Sequence, residues 1–206
     1  MQSVAAHSRP ALVEGPWTWE DFVALPDDDR RELIDGHLLE CDTPTDIDEI
    51  IAAEIVRVLG NWAYDHGGTV MTSAYKVRVS GKRGVMPDVQ YYRPGRRTQR
   101  QALTEGAPDL AVEVISPSSR AIDRVTKLNY YRQIGVPEYW IVDPEARTVS
   151  AFVLRDGHYL VAEQAAWPPE ADEGDDGCFR PARFDGLVIA LERLFAQVAE
   201  GDGTEP

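Results

Sequence analysis

An acidic residue, Glu113, lies inside the apolar stretch formed by residues 109–115. Continuous apolarity over this length predicts a central β-strand covered on both faces. Side chains alternate between the faces of a strand, so Glu113 would share one face with Ala111 and Ile115. A carboxylate in that position is costly unless it is paired, protonated or bound to a cation. The sequence leaves three interpretations of Glu113: a buried salt bridge, a position at the sheet edge, or a cation site.

Asp88 raises the same question in the preceding strand, predicted over residues 85–92. Asp is disfavoured inside strands, and the neighbouring Pro87 indicates a strand start, an edge or a bulge. A Pro-Asp pair is also an ordinary turn element, so alone it indicates little. Two carboxylates on neighbouring strands are more informative, because oxygen ligands at that separation suit Mg²⁺ or Mn²⁺. Water and a substrate phosphate would fill the remaining coordination positions.

The segment after Glu113, residues 119–134, has the pattern of a helix with one charged face. An α-helix rotates by about 100° per residue, and with this rotation the side chains of that face all fall within an arc of about 100° around the helix axis. Its members are Arg120, Asp123, Arg124, Lys127 and Tyr131. The opposite, apolar side, which we expect to pack against the protein, consists of Ala121, Ile122, Val125 and Leu128. The alternative is an ordinary solvated face in which Asp123 and Lys127 form an i,i+4 pair.

The remaining patterns predict one α/β (α+β) domain without an internal repeat or a dividing linker. Residues 1–15 are expected to form a flexible leader, 16–200 the domain and 201–206 a disordered tail. Helices are predicted at 18–25, 46–66, 119–134 and 191–198. Strands are predicted at 74–80, 85–92, 109–115, 138–142 and near 187, with hairpins at 31–40 and 148–163. Both hairpins turn at an Asp-Gly pair, which is a strong tight-turn signal.

Charge is distributed unevenly along the 206 residues, whose formal net charge is −14. Residues 76–132 carry 12 Lys and Arg against 5 Asp and Glu, so a basic middle lies inside an acidic protein. A basic region of this kind can bind phosphates, although a mixed, solvated surface is the alternative. Only two cysteines occur, and no apolar run approaches the ~18 residues that cross a bilayer. We therefore expect a cytoplasmic protein with reduced thiols and no membrane segment.

Three blocks of the sequence form a series: Glu-Leu-Ile-Asp-Gly from Glu32, Pro-Asp-Val from Pro87, and Pro-Asp-Leu-Ala-Val-Glu-Val-Ile-Ser-Pro-Ser-Ser from Pro108. Asp123, Lys127, Tyr130 or Tyr131, Gly135-Val136, and Glu-Tyr-Trp-Ile-Val-Asp-Pro from Glu138 continue the series in order. These blocks, which span about residues 19–195, resemble the Uma2 family (DUF820), a bacterial group of restriction-endonuclease-like proteins. The long central block is specific, whereas the Pro-Asp pair by itself is not.

The resemblance implies the PD-(D/E)XK nuclease superfamily, whose fold is a mixed central β-sheet flanked by helices, here with N-terminal and C-terminal β-hairpins. It makes Asp88 the first metal carboxylate and Glu113 the second. The signature lysine should lie two residues after Glu113, where this chain has Ile115. The resemblance points instead to Lys127 on the following helix. Glu32 matches a family acid that can reach the site.

The combined hypothesis is a Mg²⁺-dependent (or Mn²⁺-dependent) endonuclease that hydrolyses phosphodiester bonds in DNA. Asp88 and Glu113 would hold the metal, and Lys127 would orient water or stabilise charge on the phosphate. The residues expected to contact DNA phosphates are Arg93, Arg96, Arg97, Arg100, Arg120 and Arg124. Exposed sheet edges and the relatives indicate a homodimer. The alternatives are a non-catalytic binding or regulatory module of the same fold and a metal hydrolase of small phosphate esters.

Overall fold

The computed structural model describes residues 12–40, 45–72, 75–96, 106–116, 119–120, 122–169 and 176–201. The strands are β1 (Leu12–Val13), β2 (Arg31–Ile34), β3 (His37–Glu40), β4 (Thr69–Thr72), β5 (Val77–Ser80), β6 (Arg83–Val85), β7 (Val89–Tyr92), β8 (Leu110–Val114), β9 (Glu138–Asp143), β10 (Thr148–Arg155), β11 (His158–Ala166), β12 (Cys178–Phe179) and β13 (Ile189–Ala190). The helices are α1 (Trp19–Val23), α2 (Asp46–His66), the π-helix Ile122–Lys127, α3 (Leu128–Gln133), α4 (Leu191–Leu194) and α5 (Ala196–Gly201).

A six-stranded sheet in the order β11-β10-β9-β8-β7-β4 forms the centre of the fold. The β8 and β9 strands are parallel, and the other neighbours are antiparallel, so the sheet is mixed. Every residue of β8 is buried, as its continuous apolarity predicts. One face of β8, through Val112 and Val114, packs on α2 and the C-terminal elements. The other face, here called the site face, carries Ala111, Glu113 and Ile115 and packs beneath α3.

An N-terminal sheet in the order β1-β3-β2-β6-β5 lies beside the central sheet. Its β2–β3 hairpin turns at Asp35 and Gly36, both with positive φ, as a tight Asp-Gly turn requires. The predicted strand at 85–92 was wrong in one respect, because it is divided between two sheets. β6 ends at Val85 in the N-terminal sheet and β7 begins at Val89 in the central sheet. Pro87 lies in the connection, where its missing N–H costs no ladder hydrogen bond.

Helix α2 has the predicted bounds and is packed on the central sheet. Thr45 and Asp48 form a capping box at its start, which satisfies two N–H groups of the first turn. A similar box between Thr18 and Asp21 begins α1. These local signals explain why both helix starts could be predicted from the sequence.

The mixed central sheet, its flanking helices and both β-hairpins confirm the predicted fold class. Strand β4 was missed, and Leu12–Val13 pairs with β3 although the leader was expected to be loose. Residues 1–11, 97–105 and 170–175 and the tail from 202 lie outside the described residues. In the described part of the chain, no helix has the length and apolarity needed to cross a membrane.

Candidate active site

Asp88 and Glu113 face each other across the β7–β8 pair. Val89 is paired with Val112, so the antiparallel register sets Asp88 opposite Glu113 on the site face. The backbone N–H of Val114 donates a hydrogen bond of 2.8 Å to Asp88 Oδ2. Asp88 is half-buried, while Glu113 is buried. The pair thus occupies the end of the sheet where β7 begins and β8 ends.

Glu113 is held by two side chains from the helical segment above the site face. Lys127 Nζ donates a hydrogen bond of 3.0 Å to Glu113 Oε2. The hydroxyl of Tyr131 donates a hydrogen bond of 2.5 Å to Glu113 Oε1. Both carboxylate oxygens therefore have a donor inside the protein, which removes much of the cost of burying this acid.

Lys127 also contacts two further carboxylates. Its Nζ lies 3.2 Å from Glu32 Oε1 and 3.1 Å from Asp123 Oδ1. Glu32 comes from β2 of the N-terminal sheet, and its Oε1 also accepts a hydrogen bond of 2.8 Å from the N–H of Met86. We call the four acids Glu32, Asp88, Glu113 and Asp123 the acid cluster. Three separate elements and the connection before β7 contribute one acid each.

Burial and mutual repulsion shift the pKa values of Glu32, Asp88 and Glu113. Burial raises the pKa of Glu113 well above its usual value, with Lys127 opposing and Asp88 adding to the shift. Burial likewise raises the pKa of Glu32, against the attraction of Lys127. For Asp88, burial raises the pKa to about 7 although Lys127 and the Val114 N–H oppose it. Burial alone would lower the pKa of Lys127, but the carboxylates of Asp123, Glu113 and Glu32 raise it well above its usual value.

The predicted orientation of the helix after Glu113 was wrong in part, although Leu128 packs inward as expected. Asp123, Lys127 and Tyr131, expected on an outward charged face, are buried against the site face. Val125, expected to pack inward, is 60% exposed. The reason is the set of contacts that the charged side makes inside the protein, where Lys127 meets Glu32 and Glu113. Ala121 lies outside the described residues.

The predicted phosphate-binding arginines do not form one group. Arg120 and Arg124 lie near the acid cluster, where both contact Asp143 at the end of β9. Arg93 binds Asp109 at 2.8 Å, and Arg96 lies 3.9 Å from the same carboxylate, at the opposite end of β7 and β8. Arg97 and Arg100 lie outside the described residues.

Sequence reasoning missed the contribution of three residues. Tyr131 was placed on the polar arc, but its bond to Glu113 was not foreseen. Asp123 was considered a partner of Lys127 or Arg124, and it does contact Lys127. Its burial, however, was not predicted. Asp143 was not considered as a partner for the arginines. Its position directly after the apolar strand predicted at 138–142 is a signal that could have identified it.

The match to known proteins decides the family. Residues 19–174 match Uma2, described as a putative restriction endonuclease. The chain belongs to the Uma2 family. A crystal structure of another protein, a putative nuclease belonging to DUF820 from Anabaena variabilis, aligns with a TM-score of 0.71 at 19% identity. That alignment covers 89% of this chain and 99% of the other, so the two proteins share a fold over nearly their whole lengths.

A weaker likeness is to the type IIG restriction endonuclease BpuSI, with a TM-score of 0.39 and 16% identity. The alignment covers 81% of this chain but 19% of BpuSI. No curated protein matches this chain.

The donor atoms of this Uma2 protein fit a hard divalent cation. Three carboxylates contact one ammonium group and Asp88 is the fourth acid of the cluster, so its formal charge is strongly negative when all are ionised. Among the residues that the structure describes, no three His, Cys, Asp or Glu side chains are grouped closely enough to hold one ion. Asp88 and Glu113 would supply two carboxylates, and Mg²⁺ often keeps several waters beside one or two protein ligands.

Proposed function

We propose that this protein is a metal-dependent endonuclease that hydrolyses phosphodiester bonds in DNA. The observation that carries the proposal is the opposition of Asp88 and Glu113 beside Lys127 on one face of the central sheet. Two neighbouring acids that are shielded from water repel each other, and a bound cation removes this energetic cost by compensating their charge. The Uma2 family supports a nuclease, and its description as restriction endonucleases supports DNA as the substrate.

Asp88 and Glu113 are the proposed ligands of Mg²⁺ or Mn²⁺. Held by these two residues, such an ion would supply Lewis acidity towards the scissile phosphate and towards the attacking water. Lys127 opposes the rise in the pKa of Glu113 that burial causes and orients this carboxyl through its bond to Oε2, and it would add positive charge where negative charge develops on the phosphate. Tyr131 restrains the other oxygen of Glu113. Glu32 acts through Lys127, whose ammonium group it contacts.

Neutral substitutions of the two proposed ligands test the assignment. We expect Asp88→Asn and Glu113→Gln each to lower Mg²⁺-supported cleavage of plasmid DNA by at least about 100-fold, since even groups that only orient a metal ligand cost 10–100-fold. Initial rates of nicking, measured with and without EDTA, would show the loss. The matched control is Asp109→Asn, which changes a buried acid at the other end of β8. Retained cleavage in both ligand variants would exclude this site.

A non-catalytic module of the same fold is the second candidate. It is favoured by one observation, that both carboxylate oxygens of Glu113 are hydrogen-bonded within the protein. Calorimetry with Mn²⁺ separates the two candidates. Binding that is lost in Asp88→Asn supports the nuclease, whereas a wild-type protein that binds no Mn²⁺ and cleaves no DNA supports the module.

A further inference from the structure

Asp143 at the end of β9 binds two arginines at once. Arg120 Nη2 lies 3.2 Å from Asp143 Oδ1, and Arg124 Nη2 lies 2.9 Å from Oδ2. The N–H of Ala146 donates a further hydrogen bond of 3.1 Å to Oδ1. The carboxylate is therefore fixed by the backbone and orients both guanidinium groups. Arg120 also contacts the exposed Glu145 at 2.8 Å.

The register of the central sheet sets this group beside the acid cluster. Glu113 on β8 is paired with Ile141 on β9, and Asp143 is two residues further on, so it belongs to the same face. One strand spacing and two residues of strand rise separate the two positions by about 8 Å. The arginines thus flank the end of the sheet where Asp88 and Glu113 meet.

Exposure differs sharply within the group. The Asp143 side chain is 3% exposed, whereas those of Arg120 and Arg124 are 37% and 48% exposed. Asp143 binds one nitrogen, Nη2, of each guanidinium group. Guanidinium groups can bind phosphate oxygens through paired N–H donors, and such bonds are stronger when the group is held in place.

We propose that Arg120 and Arg124 form a phosphate clamp, which binds the backbone phosphate adjacent to the one cleaved at Asp88 and Glu113. Asp143 is the positioning residue of this clamp and does not touch the DNA. The proposal rests on the nuclease function proposed above, because it assigns the clamp to the same DNA strand. The clamp therefore predicts that the buried negative charge of Asp143 strengthens the binding of DNA, although DNA is itself negatively charged.

Whether Asp143→Asn weakens or strengthens DNA binding distinguishes a positioning role from simple electrostatics. Removing a negative charge near DNA should strengthen binding if only net charge matters. We expect Asp143→Asn to weaken binding of a fluorescent DNA duplex by about tenfold, as loss of an orienting partner does elsewhere. The matched control is Glu145→Gln, which removes an exposed acid that contacts the same Arg120. This control should leave binding unchanged or slightly stronger.

Arg124→Gln provides a second test, since this exposed side chain can be replaced without disturbing the core. It should weaken binding and reduce the slope of log affinity against log salt by about one. Binding is measured in EDTA, and metal-supported cleavage is measured separately. Equal effects of Asp143→Asn and Glu145→Gln would overturn the positioning role. An unchanged salt slope in Arg124→Gln, or a wild type that does not bind DNA, would overturn the clamp.

Measuring DNA binding and DNA cleavage separately tests the phosphate clamp and the nuclease activity independently. A wild type that binds DNA with the expected slopes but never cleaves it would refute catalysis and leave the clamp standing. Cleavage that persists with wild-type KM in Asp143→Asn and Arg124→Gln would refute the clamp and leave the nuclease standing.

Discussion

Lys127 is a buried cation whose charge is compensated by three carboxylates at 3.0 to 3.2 Å. A lone ammonium group in this position would lose its proton, because burial disfavours the charged form. The surrounding acids reverse that preference and raise its pKa. Ile115, two residues after Glu113, is buried in the apolar cluster beneath α3. The chain therefore supplies the cation from the helical segment and not from β8.

Replacing Lys127 by methionine should lower the free energy of unfolding by about 3–5 kcal/mol, because it leaves buried carboxylates without their counter-charge. Urea denaturation at pH 8 would measure the loss. The control is Lys76→Met, whose buried ammonium group donates to the backbone carbonyls of Phe22 and Leu25 and not to acids. Its expected loss is smaller, about 1–3 kcal/mol. Equal losses in the two variants would contradict the importance of the acid cluster.

The π-helix is the element that brings Asp123 and Lys127 to the site face. Residues 123 and 127 are four apart and therefore lie on the same side of the helical segment, whereas Val125 lies on the opposite side. Asp123 and Lys127 face inward because their charges complement the acids of β2 and β8. Val125 is left exposed on the other side.

Two substitutions in this helical segment test its orientation. Val125→Gln should change the free energy of unfolding by no more than about 0.5 kcal/mol, since an exposed side chain is replaced. Tyr131→Phe should cost about 1–3 kcal/mol, because it leaves a buried carboxyl oxygen of Glu113 without its hydrogen-bond donor. Thermal or urea unfolding of both variants provides the comparison. A large loss in Val125→Gln with none in Tyr131→Phe would show the opposite orientation.

At the scale of the whole molecule, the site depends on the docking of the two larger sheets. The N-terminal sheet contributes Glu32, and the central sheet contributes Glu113. The connection between β6 and β7 joins the sheets and carries Asp88. Proton binding by this assembled cluster should therefore be coupled to folding of the entire domain.

The raised pKa of Asp88 predicts how stability depends on pH. An acid whose pKa is higher in the folded state binds its proton more tightly there, so its contribution is complete below the unfolded pKa of 3.8 and is lost as the pH rises through about 7. Relative to Asp88→Asn, the wild type in EDTA should lose on the order of 2–4 kcal/mol between these pH values. Denaturation of both proteins across that range measures the difference. A difference that grows in favour of the wild type as pH rises would contradict the shift.

The sequence by itself determined the features that depend on local pattern. The apolar run around Glu113 predicted β8, Asp-Gly pairs predicted both hairpin turns, and the period of residues 46–66 predicted α2. The motif order also indicated the family and selected Asp88, Glu113 and Lys127 as candidates. The predictions of strands, turns and helix succeeded because strand alternation, turn geometry and helix period act between near neighbours in the chain.

Only the tertiary structure decided how those elements meet. It divided residues 85–92 between two sheets, turned Lys127 inward and brought Arg120 and Arg124 to Asp143. Each outcome depends on contacts between residues far apart in sequence, whose charge and packing override local periodicity. Burial of a charged side chain, in particular, is decided by partners that no local pattern reveals.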